Sequence, residues 1–307
     1  MKQKLIPLLV LALMVAGLCV LTAARQQTAH TEQHNTSTPP TEQPDPLTAM
    51  PPQAHPHINV VILGDSQTWI GGDNCDKPRG WNKWFCDRFS PKSCKSYARS
   101  GATWTNTPQT VANTKENVGV LGDNNVIYNQ VQRLKESLAD GRQAVPQLII
   151  VYAGANDAWF GSKRPHRFDK RADEVDLGST STLTTLPPAQ ILTLAEAVCH
   201  NCLLLRQLCP EAQIVMLTPM QMTKVPTDMV RRVGDIIADC GQRLDINVIR
   251  LDKHGSVNAM QEKKAFSMTT DGVHTSERGA QKNGYYVAEQ IQQMLQHNHT
   301  AQTPNKK

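Results

Sequence analysis

Ile58-Asn-Val-Val-Ile-Leu-Gly-Asp-Ser66 decides the architecture of this chain. Its first six residues are mostly β-branched or aliphatic and stop at a glycine, so they read as a short strand buried on both faces, the kind that parallel sheets contain. The pair that follows places a carboxylate and a hydroxyl at the carboxyl end of that strand, where open α/β sheets bind their ligands.

The same grammar repeats downstream. Ser93-Cys-Lys-Ser-Tyr-Ala98, Gln147-Leu-Ile-Ile-Val-Tyr-Ala153, Gln213-Ile-Val-Met-Leu-Thr218 and Ile246-Asn-Val-Ile-Arg-Leu251 read as further strands. Between them lie helical patterns. In 81–89 the aromatic residues Trp81, Trp84, Phe85 and Phe89 share one helical face, and apolar residues recur at similar spacing in 126–138, 189–208, 229–244 and 279–295. Strands alternating with helices in this way predict a parallel sheet covered by helices on both faces. The segment 161–186 fits neither pattern.

Polar clusters fall at the expected strand ends: Gly64-Asp65-Ser66, Ser100-Gly101-Ala102 and Gly154-Ala155-Asn156-Asp157, with Asp271-Gly272-Val273-His274 after the last strand. A serine hydroxyl is a weak nucleophile unless an imidazole within hydrogen-bond reach accepts its proton, and that imidazole needs a carboxylate to fix its tautomer. Asp271 stands three residues before His274, as such a pair requires. Of ten histidines, His30, His34, His55 and His57 precede the domain and His297 and His299 follow it. His166, His200, His254 and His274 remain, and His254, near Asp252, is the one rival base. Taken singly, Ser66 reads equally as a helix N-cap and Asp271 as a turn residue. Their convergence on one sheet edge favours chemistry.

These blocks, in this order, resemble the SGNH hydrolases, also called GDSL-type esterases and lipases, over nearly the whole of 58–295. The resemblance implies a three-layer α/β/α sandwich with a central parallel, flavodoxin-like sheet. It implies Ser66 as nucleophile, His274 as general base, Asp271 as its orienting acid, and an oxyanion hole from the Ser66 and Gly101 N–H groups and the Asn156 amide. Gln67 departs from the leucine that the family's name records. The Gly-x-Ser-x-Gly elbow of α/β-hydrolases is absent around Ser66. Asp65 and Asp157 are expected to brace the turns that aim their neighbours. Trp69, Trp104 and Trp159 each follow a cluster residue by three positions; they either pack the sheet edge or, for Trp104 and Trp159, line the pocket.

Residues 1–24 carry Lys2 and Lys4 ahead of an apolar run that closes on small residues, the layout of a secretory signal peptide. Retention as an uncleaved anchor and lipidation at Cys19 are alternatives. Residues 25–57, rich in Gln, Thr, Pro and His, are expected to form a disordered linker, the catalytic domain to span 58–296, and 297–307 to be a disordered tail. Without Lys2 and Lys4 the chain has 30 basic and 27 acidic residues, a net of +3 that predicts no affinity for nucleic acid. A membrane is engaged only through the possible anchor. The basic stretch 163–171 reads as a solvated loop rather than a binding patch.

Export permits disulfides, and with Cys19 gone seven cysteines remain. Pairing among Cys75, Cys86 and Cys94 would staple the loop after Ser66 and pairing between Cys209 and Cys240 would join neighbouring helices, but the sequence leaves the connectivity open. Cys199 and Cys202 have redox-motif spacing but sit inside a helical pattern, which favours core packing or a disulfide. The expected protein is an exported serine esterase that needs no metal or cofactor and acts on a small-molecule or polysaccharide ester, an O-acetyl carbohydrate above all. Lipase, lysophospholipase and thioesterase are the alternatives within the family, and a non-catalytic carbohydrate-binding or surface-interaction module the alternative outside it.

Overall fold

The computed structural model describes residues 54–115, 122–177 and 180–301. The expected signal segment and nearly all of the expected linker lie outside these residues. Five strands, β1 His55–Gly64, β2 Pro91–Ser96, β3 Leu148–Tyr152, β4 Gln213–Leu217 and β5 Asn247–Ile249, form one sheet in the order β2-β1-β3-β4-β5. Every pairing is parallel. The strand order reverses beside β1, which creates the crevice at the carboxyl ends of β1 and β3.

Alternation along the strands feeds two cores. Val61 and Leu63 of β1, Ile149 and Val151 of β3 and Ile214 and Met216 of β4 face one core. Val60, Ile62, Leu148, Ile150, Val215 and Leu217 face the other. The first core is closed by α3 (Ile127–Ala139), α6 (Leu194–Leu208) and α7 (Thr227–Leu244), the second by α2 (Trp81–Phe89) and α10 (Glu277–Ala301). In α7 the buried residues Val230, Val233, Gly234, Ile237, Cys240, Gly241 and Leu244 recur every three or four positions, a single apolar stripe laid on the sheet. α6 begins at a reciprocal cap between Thr193 and Glu196. This is the three-layer α/β/α sandwich.

Short helices complete the chain: α1 (Ser66–Trp69), α4 (Ala155–Trp159), α5 (Thr180–Thr185), α8 (Leu251–His254) and α9 (Ala259–Glu262). Both ends of the domain differ from the sequence expectation. β1 starts at His55, three residues inside the expected linker, because His55 pairs with β2 and stacks on Phe89 at 4.1 Å. α10 continues to Ala301, past the expected domain end at 296.

The segment 161–186 lies over the first core as two 3-10 turns, Pro165–Phe168 and Ala172–Glu174, followed by α5. It is held because Phe168, Ala172, Val175 and Leu183 are buried there, while Arg243 of α7 donates to the carbonyls of Ala172 and Val175. Within the basic stretch only Arg167 is spent inside the fold, against Asp157, whereas Lys170 pairs with Glu196 and Arg171 with Asp173 on the exposed side of the loop.

None of the seven described cysteines is in a disulfide. Cys240 approaches Cys199, not Cys209, since Cys199 lies within α6 facing α7 whereas Cys209 caps the end of α6. Cys202 packs against Met216 of β4 at 3.5 Å, as a core residue.

Candidate active site

The ladder between β1 and β3 ends at Gly64, and the chain turns at once into α1. Two devices fix that turn. The Gln130 side chain of α3 accepts from the Gly64 N–H and donates to its carbonyl, both at 2.8 Å. The Asp65 carboxylate accepts from the N–H of Gln67 at 3.0 Å and from that of Ala155 at 3.3 Å, tying the turn after β1 to the turn after β3. Burial pushes the Asp65 carboxyl up to about 7, against those backbone donors, which favour its charged form. Ser66, nearly buried, stands at the first position of α1.

Ser66 Oγ lies 2.9 Å from His274 Nε2, and His274 Nδ1 lies 2.8 Å from Asp271 Oδ2. A carboxylate at Nδ1 accepts only, so the imidazole carries its proton there and presents the Nε2 lone pair to the serine hydroxyl. Asp271 Oδ1 also accepts from the N–H groups of Val273 and His274, at 2.9 and 2.7 Å. Burial tends to raise the Asp271 pKa, but these hydrogen bonds outweigh it and hold the carboxyl at about 2. It stays charged throughout the neutral range.

The turn that carries Asp271 and His274 hangs from a buried acid that sequence reasoning missed. Glu262 of α9 accepts from the N–H groups of Ser267, Met268 and Thr269 and from the Thr269 hydroxyl. Gln67 completes the bracing by donating to the Val273 carbonyl at 2.7 Å, directly between Asp271 and His274.

Gly101 adopts φ +83°, a left-handed conformation that glycine tolerates at no steric cost. Its neighbour Ala102 accepts from Asn156 Nδ2 at 2.9 Å, so α4 and the loop after β2 arrive together. The second amide hydrogen of Asn156 remains for a ligand. Asp157 binds the same loop from below, accepting from Trp104 N, Thr105 N and the Thr105 hydroxyl at 2.9, 3.1 and 2.7 Å. Arg167, fully buried and 3.5 Å away, balances that carboxylate.

Among the tryptophans the two readings separate. Trp104 is fully buried in the first core and lines no ligand-accessible surface, because the bonds from Asp157 pull its backbone inward. Trp159 and Trp69 are 43% and 47% exposed beside the Asn156 and Ser66 turns. His254 is exposed, with the ring of Tyr286 as its neighbour, and it takes no part in the serine's hydrogen bonding. His200 is buried against Tyr128.

Residues 62–282 match the model of the GDSL-like lipase/acylhydrolase family. The chain belongs to this family. It is therefore a serine hydrolase acting on ester bonds. Among solved structures, a possible lipase from Chitinophaga pinensis DSM 2588 superposes with a TM-score of 0.50 at 16% identity, covering 78% of this chain and 99% of that one. The lipase/acylhydrolase from Enterococcus faecalis gives 0.46 at 15%, covering 77% and 96%. A carbohydrate acetylesterase family member from Sinorhizobium meliloti gives 0.45 at 15%, covering 78% and 99%. No curated protein matches the sequence. At such identities the first of these speaks to fold, and the family assignment rests on the matched residues.

Proposed function

We propose that this GDSL hydrolase is exported and removes short acyl groups, acetyl above all, from carbohydrate esters through an acyl-enzyme on Ser66. The observation that carries the chemistry is the unbroken chain from Ser66 Oγ to His274 and on to Asp271, at 2.9 and 2.8 Å. During attack His274 Nε2 takes the serine proton while the carbonyl carbon gains Oγ as its fourth substituent. The resulting oxyanion is met by the N–H groups of Ser66 and Gly101 and the free amide hydrogen of Asn156, donors fixed in place before charge develops. Collapse expels the alcohol, which takes the proton from His274, and a water repeats the sequence to release the acid. Asp271, ionised throughout, holds the imidazole in register and offsets its transient charge.

One feature favours a sugar as the leaving group. The exposed indoles of Trp69 and Trp159 offer flat apolar faces of the kind that sugar rings stack on. Export rests on the layout of residues 1–24, which lie outside the described residues.

The test is a p-nitrophenyl ester series from acetyl to long-chain acyl, assayed beside acetate release from an acetylated polysaccharide. We expect acetyl to be the best substrate and Ser66→Ala to lose roughly 10⁵–10⁶-fold in kcat. A preference for long chains would transfer the assignment to a lipase.

A further inference from the structure

Three thiols outside the active site converge on one point. Cys75 lies in the loop after α1, Cys86 in α2 and Cys94 in β2, yet their sulfurs all lie within 4.8 Å of one another. Cys75 Sγ and Cys94 Sγ are 3.4 Å apart, and no disulfide joins any pair. A disulfide would use two sulfurs and leave the approach of the third without a cause. A thiophilic cation uses all three: tetrahedral metal–sulfur bonds of about 2.3 Å place neighbouring sulfurs roughly 3.8 Å apart, which falls within the observed cluster.

The surroundings are shaped around these thiols. Cys75 has φ +57°, a left-handed conformation that a non-glycine residue keeps only when its neighbours impose it. Asn82, fully buried, hydrogen-bonds Cys75, while its Oδ1 has no partner. The amide fits there because positions 71 and 80 lack side chains: a Cβ would approach Asn82 Oδ1 to 1.7 Å at Gly71 and 2.4 Å at Gly80. Cys86 and Cys94 are only partly buried, which gives an ion a path in and a position for a solvent ligand. Among the described residues no histidine or carboxylate joins the cluster. An all-sulfur donor set selects soft ions over Mg²⁺ or Ca²⁺.

We propose that Cys75, Cys86 and Cys94 form a three-thiolate site for a thiophilic closed-shell cation, Zn²⁺ or Cu⁺, that pins the loop after Ser66 to α2 and β2. The same loop carries Asp73, bound to Arg99 at 3.0 Å just ahead of Gly101. The ion therefore stiffens the flank of the nucleophile and the approach to Gly101 together, without touching the reacting atoms.

The purified protein, fully reduced, would be titrated with Zn²⁺ against a chromophoric chelator, with Cu⁺ against a copper(I) indicator, and with Co²⁺ as a spectroscopic probe. We expect one ion per chain, a sulfur-to-Co²⁺ charge-transfer band, and at least about tenfold weaker binding in Cys86→Ser. Tighter competition by Zn²⁺ or by Cu⁺ identifies which ion the site takes. No binding of any of the three ions to folded, reduced wild type would overturn the proposal, whether or not the variant folds. A disulfide between any two of these cysteines, found by non-reducing peptide mapping of protein recovered from its native compartment, would overturn it as well.

Discussion

Gln67 stands where the family's name has leucine, and its side chain is used. Its amide reaches 2.7 Å to the Val273 carbonyl and clips the helix of Ser66 to the turn that carries His274. A buried hydrogen bond of this kind is worth about 1 kcal/mol, so Gln67→Leu is expected to lower kcat several-fold with KM nearly unchanged in steady-state assays on p-nitrophenyl acetate. Asp65 makes a second prediction, this time of pH dependence. Its carboxyl is raised from 3.8 to about 7 in the folded state. The folded protein thus binds the proton more tightly than the unfolded chain, so this contribution to stability is complete below pH 3.8 and lost as pH rises through about 7. Asp271 has the opposite sign: held at about 2, it stabilises above 3.8 and ceases to do so as pH falls through 2. Urea unfolding of wild type and Asp65→Asn between about pH 4 and pH 7 separates the two. The wild type should lose stability relative to the variant as pH rises through that window, and parallel curves would refute the assignment.

At the scale of elements, the site is held by residues from parts of the chain that do no chemistry. Arg167, from the segment 161–186, buries a guanidinium against Asp157, whose carboxylate holds the backbone of Trp104 and Thr105. Removing one partner of a buried pair leaves an uncompensated charge, so Arg167→Met should cost about 3–5 kcal/mol in chemical denaturation and loosen the Gly101 loop. Little of this was legible beforehand. Strands buried on both faces announce themselves by continuous apolar runs, and the helices by the 3.6-residue period, so the sheet and its cover could be read directly. The residues proposed for the triad and the oxyanion hole stood out because Ser66, Gly101 and Asn156 follow strands and Asp271 precedes His274 by three positions. The braces Gln130, Glu262 and Arg167 carry no such signal. Gln130 is one of several buried polar residues of α3, beside Asn129, Arg133 and Ser137, and Arg167 looks like one more charge in a basic loop. Trp104 could not be separated in advance for the converse reason: its spacing from Gly101 matches that of the exposed indoles from their clusters, but the hydrogen bond from its backbone N–H to Asp157 turns it inward.

For the whole molecule, strand order places the chemistry. The reversal beside β1 opens a crevice at the carboxyl ends of β1 and β3, and Ser66 and Asn156 are the residues that emerge there. A concavity of about 1100 Å³ lies elsewhere, between the segment around Phe168 and the outer face of α7, and contains no residue of the proposed triad. Charged side chains of both signs line it, so size alone does not mark the site. The account stands or falls on Ser66 as the nucleophile that the topology delivers to that crevice. The most direct measurement is peptide mapping after reaction with an activated organophosphate ester. It should find one covalent adduct per chain, on Ser66, with loss of esterase activity in proportion to labelling and no adduct in His274→Ala on the same timescale. An adduct on another serine, or full activity in a protein labelled at Ser66, would contradict the account.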